Sequence, residues 1–163
     1  MTTIHYNRIA TLPVLIALVS VFSFYGCQKD EEAITDATYS LSGSASGGLV
    51  IPAVTTSATG SMIGTYDSRT NQMQYNFSWL GLAQPATDSI HIYDSDEDGV
   101  NASLIGRVAI TTPGSSGSAI GGATLTDEEE ESLLNSELYF VIGNSATYPE
   151  GEVRGQIIAK RND

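Results

Sequence analysis

Six consecutive residues, Asp94-Ser95-Asp96-Glu97-Asp98-Gly99, carry the densest chemistry in this 163-residue chain. Carboxylates at Asp94, Asp96 and Asp98 can converge on one hard cation when the backbone turns between them, and Gly99 permits that turn. This is the form of a calcium loop. An EF-hand also needs a bidentate glutamate at its twelfth position, which here is Ile105, and the flanks read as strands rather than helices. The segment is therefore a calcium loop of another kind, completed by a distant acid, or an acidic turn kept polar by solvent. If calcium binds, the affinity expected of an extracellular module is about 10⁻⁴ to 10⁻³ M.

Other catalytic vocabulary is sparse. The sequence has no Gly-x-Ser-x-Gly elbow, no P-loop and no His-Glu-x-x-His, and His91 is the one histidine beyond the N-terminal region. A nucleophilic mechanism with a histidine base would hang on that residue. Acids are plentiful, but no pair is singled out for glycan hydrolysis between two carboxyl groups. A binding or structural module is the expected class, not an enzyme. A carboxylate-based hydrolase acting on glycans and a metal-handling protein are the alternatives.

Cys27, the single cysteine, is the second informative position. It follows an apolar run from Ile9 to Tyr25, long enough for a signal-peptide core and short for a membrane span. Residues 1–8 carry one positive charge, Arg8, and small Gly26 precedes the cysteine. The segment resembles a bacterial lipobox, although Phe24 stands where leucine is usual and Tyr25 where a small residue is usual. Residues 1–26 then form a lipoprotein signal peptide, and a lipidated Cys27 becomes the mature N-terminus. More than one acyl chain is needed for stable anchoring, and a retained anchor with an incidental thiol is the other reading. Gln28-Lys29-Asp30-Glu31-Glu32 resembles the short acidic signal that exports some lipoproteins to the outer face of the outer membrane. An ordinary solvated tether over 27–37 is the simpler reading of the same charges. The expected location is the outer membrane of a bacterium, at the cell surface, with the membrane reached through Cys27.

All 19 acidic residues lie after position 26, with six of the seven Lys and Arg, so the mature charge is about −13. Nucleic acid is excluded as a partner, because its affinity comes from neutralising phosphates. The partner expected instead is an unknown extracellular protein or glycan.

These groups must be positioned by the segment 38–160, which reads as one domain. Its apolar residues recur with period two, the signal of half-buried strands. Met73, Tyr75, Phe77 and Trp79 share one face, and Gln74, Asn76 and Ser78 the other. With 61–66 before it and the turn formers Asp67-Ser68-Arg69-Thr70-Asn71 between, a β-hairpin is predicted. Further strands are predicted at 39–46, 88–94, 103–111, 117–125, 137–143 and 152–159. Leu104, Gly106, Val108 and Ile110 are expected to face inward. Thr126-Asp127-Glu128-Glu129 has the form of a capping box, opening one short helix near 127–134 that packs through Leu133 and Leu134. Its acidic run is explained by capping and the helix dipole. The fold class is all-β, an antiparallel Greek-key-like sandwich or barrel with one short helix.

The C-terminal segment Tyr148-Pro149-Glu150-Gly151-Glu152-Val153-Arg154-Gly155-Gln156-Ile157 resembles the closing signature of the CHRD domain. Leu41-Ser42-Gly43, Ala58-Thr59-Gly60, Gly64-Thr65-Tyr66-Asp67, Leu80-Gly81-Leu82 and Leu125-Thr126-Asp127 fall in the order of that family, over roughly 39–158. Bacterial members often carry His-x-His and a later histidine. Here these positions are His91, Tyr93 and one near Asn144, so three imidazoles do not converge and a tight copper or zinc site is not implied. Within the signature, Glu152, Arg154 and Gln156 are expected on the face opposite Val153 and Ile157, with Arg154 forked onto a carboxylate. Gly151 and Gly155 allow the turn and close packing.

Overall fold

The computed structural model describes residues 37–86, 88–95 and 102–163. Strands β1 (Thr38–Ser46), β2 (Thr59–Asp67) and β3 (Gln72–Leu80) form a meander. They are followed by β4 (Ser89–Ser95), β5 (Ala102–Ala109), β6 (Gly117–Thr124), helix α1 (Asp127–Leu134), β7 (Leu138–Ile142), β8 (Val153–Gln156) and β9 (Ile158–Arg161). The sheet order is β5-β4-β7-β8-β1-β2-β3-β6, with β9 also on β1. Every strand pairing is antiparallel. The terminal strands β5 and β6 approach each other, so the sheet is a nearly closed barrel. The connection between β3 and β4 is stitched to that between β5 and β6: Ala86 and Gly114 exchange backbone hydrogen bonds, and Trp79 Nε1 donates to Gly114 O at 3.1 Å.

The curl of the sheet follows from side-chain size. Met73, Tyr75, Phe77 and Trp79 of β3 all point inward and are buried. Opposite them β6 presents Ala123, Gly121, Ala119 and Gly117. A Cβ on Gly117 or Gly121 would lie 2.6 Å from the ring of Trp79 or Tyr75, so the large side chains fold over the small strand. Phe77 meets Phe140 of β7 across the interior at 5.0 Å between ring centroids. The barrel is thus filled by side chains, as expected for a small one.

The predicted hairpin forms: residues 68–71 are the turn, with Asn71 at φ 53° and Arg69 N donating to Asp67 Oδ1 at 3.0 Å. The capping box forms as well, with Glu129 N donating to Thr126 Oγ1 at 3.3 Å and Thr126 N to Glu129 Oε2 at 2.8 Å. Leu133 is fully buried, whereas Leu134, expected beside it, is exposed.

Two further expectations are corrected. Leu104 faces outward, because a β-bulge shifts the register between Ile92 and Tyr93: Ile92 pairs with Gly106 but Tyr93 with Leu104. The extra residue, Ile105, packs on the core instead, since one inserted residue flips the alternation beyond it. The segment 152–159 is not one strand. It divides at Ile157, whose N–H donates to Leu138 O of β7 at 2.8 Å while β9 continues along β1.

Candidate functional site

Pairing places the connections of the barrel at two ends. One end holds the loops 47–58, 81–86, 110–116 and 143–152; the other holds the β2–β3 turn, the end of β4, the start of β5, α1 and both ends of the domain. Between them, the outer face of β5-β4-β7-β8 carries the cationic and aromatic residues.

Across those four strands Arg107, His91, Val141 and Arg154 stand in one cross-strand row, and Leu104, Tyr93, Tyr139 and Gln156 in the next. Strand spacing separates the two arginine backbones by about 14 Å. Arg154 sits over Tyr139, with its guanidinium carbon 3.6 Å from the ring centroid, and Tyr93 stacks on Tyr139 at 5.3 Å between centroids. The carboxylate fork expected for Arg154 is therefore replaced by a cation–π contact. It still pins β8 to β7. Gln156 extends the same tie through Nε2, which donates to Leu138 O at 3.0 Å.

His91 has both ring nitrogens occupied: Nδ1 meets Tyr93 Oη at 3.2 Å and Nε2 meets Ser89 Oγ at 3.0 Å. One nitrogen donates and the other accepts. Burial lowers its pKa and the charge of Arg107 lowers it further, against a smaller opposing effect of Asp88. Burial raises the Tyr139 phenol, while Arg154 works against that. A base with a lowered folded pKa binds fewer protons folded than unfolded, so stability rises with pH through that interval. Stability is expected to fall as pH drops from the unfolded value of 6.5 through the folded one, then to level off. Thermal melts across this range should show the slope in the native chain and lose it in His91→Gln; an equal slope in both refutes the assignment.

Glu152 does not share this outer face. It is completely buried and serves as a knot at the loop end. Ala83 N donates to both its carboxyl oxygens, at 3.0 and 2.9 Å, and Thr56 Oγ1 donates at 2.6 Å. Thr56 in turn accepts from Ala58 N at 3.1 Å. One side chain thereby joins three connections. Gly151 precedes it at φ +90°, and Gly155 packs against Phe140.

Of the acidic loop only Asp94 and Ser95 are described; Asp96 and Asp98 lie outside the described residues, as do Cys27, Gln28, Lys29, Asp30, Glu31 and Glu32. Asp94 Oδ2 accepts from Ser132 Oγ of α1 at 2.9 Å. Among the described residues no three His, Cys, Asp or Glu side chains group as metal ligands, and no described helix is long and apolar enough to cross a membrane. Asn144 donates to Pro149 O at 3.1 Å while its Oδ1 is buried without a partner.

Three residues escaped the sequence reading. Arg107 and Tyr139 join the patch only through pairing of strands far apart in sequence. Glu130 is buried despite its charge; its position three residues before Leu133, on the same helical face, was the available signal. No curated protein and no solved structure matches the chain. The family model of the CHRD domain matches residues 39–157, which takes in the meander, the outer-face rows, the capped helix and the Glu152 knot. The chain belongs to the CHRD domain family.

Proposed function

We propose that this chain is a lipid-anchored, cell-surface CHRD module of a bacterial outer membrane. It binds an extracellular protein or glycan and catalyses nothing. The observation that carries the binding reading is the outer face of β5-β4-β7-β8. Two arginines, two tyrosines and the domain's histidine are gathered there on a chain whose net charge is −12. A cationic and aromatic surface of this kind favours a ligand that brings carboxylate or sulfate groups, since guanidinium pairs them in a fork.

The test uses the full chain in detergent micelles, with polygalacturonate as an anionic glycan probe. Saturable binding is expected, weakened about tenfold in the Arg107→Gln/Arg154→Gln double variant and by added salt. Binding that ignores both changes, or no binding, rejects the patch.

The location and the ion are carried by sequence features: the lipobox-like segment at Cys27, the acidic residues after it, and the Asp94–Asp98 loop. Mass spectrometry of the membrane fraction should find acylated Cys27. Calorimetry should give heat at millimolar calcium that Asp96→Ala and Asp98→Ala abolish. An intact Met1 terminus ends the first idea, and no heat ends the second.

A further inference from the structure

The other half of the sheet, β1, β2, β3 and β6, presents an outer face of a different kind. Serine, threonine, asparagine, glutamine and isoleucine side chains point outward there. These four strands hold one charged residue, Asp67, at the last position of β2, where Arg69 answers it at 3.7 Å. The whole chain, by contrast, carries 19 acids and a net charge of −12. Strand register aligns Ile158, Ser42, Ile63, Asn76 and Ile120 in one cross-strand row on this face. Its three isoleucines are 45 %, 63 % and 77 % exposed. A groove of about 370 Å³ lies between Ile63 and Ile120, with Gln74 and Asn76 in its lining.

Aligned, exposed aliphatic side chains on a face depleted of charge are the mark of an interface core. Charge identifies the occupant. Two copies of so acidic a chain repel each other over most of their surface, and this face is where that repulsion is weakest. Knob and groove lie on the same patch, as a two-fold contact requires. Some of its polar groups already answer one another, Ser61 Oγ with Ser78 Oγ at 2.8 Å and Gln72 Nε2 with Thr124 Oγ1, so their loss of water costs less. The aromatic rings of these strands all pack toward the core, which leaves none for a sugar to stack on. Four strands at about 4.8 Å spacing and about eight residues in length give about 500 Å² per copy. The total of about 1,000 Å² reaches the lower limit of a specific interface. We propose that the outer face of β1-β2-β3-β6 docks a second copy of this chain about a two-fold axis. Ile63 and Ile120 of each copy flank the groove of the other. The pairing uses none of the arginine patch on β5-β4-β7-β8 and stands or falls independently of it.

The experiment is sedimentation equilibrium of the full chain in density-matched detergent micelles, with micelles in large excess so that copies do not share one by chance. A monomer–dimer equilibrium is expected, with a dissociation constant of about 10–100 μM at about 300 mM salt. It should weaken several-fold at about 20 mM salt, where the like charges are less screened. The Ile63→Thr/Ile120→Thr double variant keeps β-branched side chains on the strands and should weaken pairing about tenfold. Leu134→Gln, at an exposed leucine on α1, should leave it unchanged. The salt dependence is read on the native chain, so the test holds even should the double variant lose the fold. Three results overturn the proposal. The first is a chain that stays monomeric up to about 1 mM at high salt. The second is pairing that the folded double variant leaves unchanged. The third is pairing that weakens with added salt and in Arg107→Gln/Arg154→Gln, which would put the contact on the opposite half of the sheet.

Discussion

Glu152→Ala destabilises the domain by about 3–5 kcal/mol, measured as a shift in the urea midpoint at constant m-value. The side chain is fully buried and its carboxyl group is the acceptor for Ala83 N–H and the Thr56 hydroxyl. Truncation removes the acceptor from the Ala83 backbone donor, at about 1–3 kcal/mol. The hydroxyl of Thr56 loses its partner too, although it can rotate, and the vacated volume adds a cavity cost of about 1–2 kcal/mol. Glu152→Gln keeps one acceptor oxygen but turns an amide NH₂ toward a donor, so an intermediate loss of about 2–3 kcal/mol is expected. The order native, glutamine, alanine is the informative result. A loss below about 1 kcal/mol in Glu152→Ala would mean that water reaches Ala83 N–H and that the knot is not dry.

The neighbouring position gives the second large effect, and a series of glycines separates its two causes. Gly151 has φ +90°, and a Cβ there would run into Val141 Cγ1. Gly81 has φ +74° but nothing within 4 Å of the added atom, and Gly106 has open space with no positive φ. Gly106→Ala should therefore lie within about 0.5 kcal/mol of the native chain. Gly81→Ala should cost about 1–2 kcal/mol, the backbone cost alone. Gly151→Ala should cost about 3 kcal/mol or more, because strain in a packed turn adds to that backbone cost. Equal effects at Gly81 and Gly151 would show that Val141 moves aside freely.

These positions also show what the sequence could and could not disclose. The β3 face, the Asp67–Asn71 turn and the Thr126 cap were legible because each depends on residues a few places apart. The outward turn of Leu104 was not, since the bulge at Ile105 is set by how β5 registers on β4, and nothing in the β5 sequence alone records it. Glu152 looked like an outer-face residue by alternation with Arg154. Its burial is decided by Thr56 and Ala83, which lie 96 and 69 residues away. The patch was half legible: His91 and Arg154 stood out by type, but their common row with Arg107 exists only after four strands are paired. The acidic residues of α1 were read as one group, and tertiary packing divides them into a cap at Glu129 and a buried carboxyl at Glu130.

The position of β1 has a mechanical consequence. Its whole length, Thr38 to Ser46, is bonded to β2 on one edge, and its other edge is held by β8 and β9. The two ends of the domain leave side by side, with Asn162 N donating to Thr38 O at 2.9 Å. A pull on the chain before Ala37, directed along β1, therefore loads both ladders in shear. Their bonds must slip together, whereas a strand pulled from a sheet edge peels one bond at a time. Force transmitted from the N-terminal side thus enters through a strand clamped on both edges against extraction.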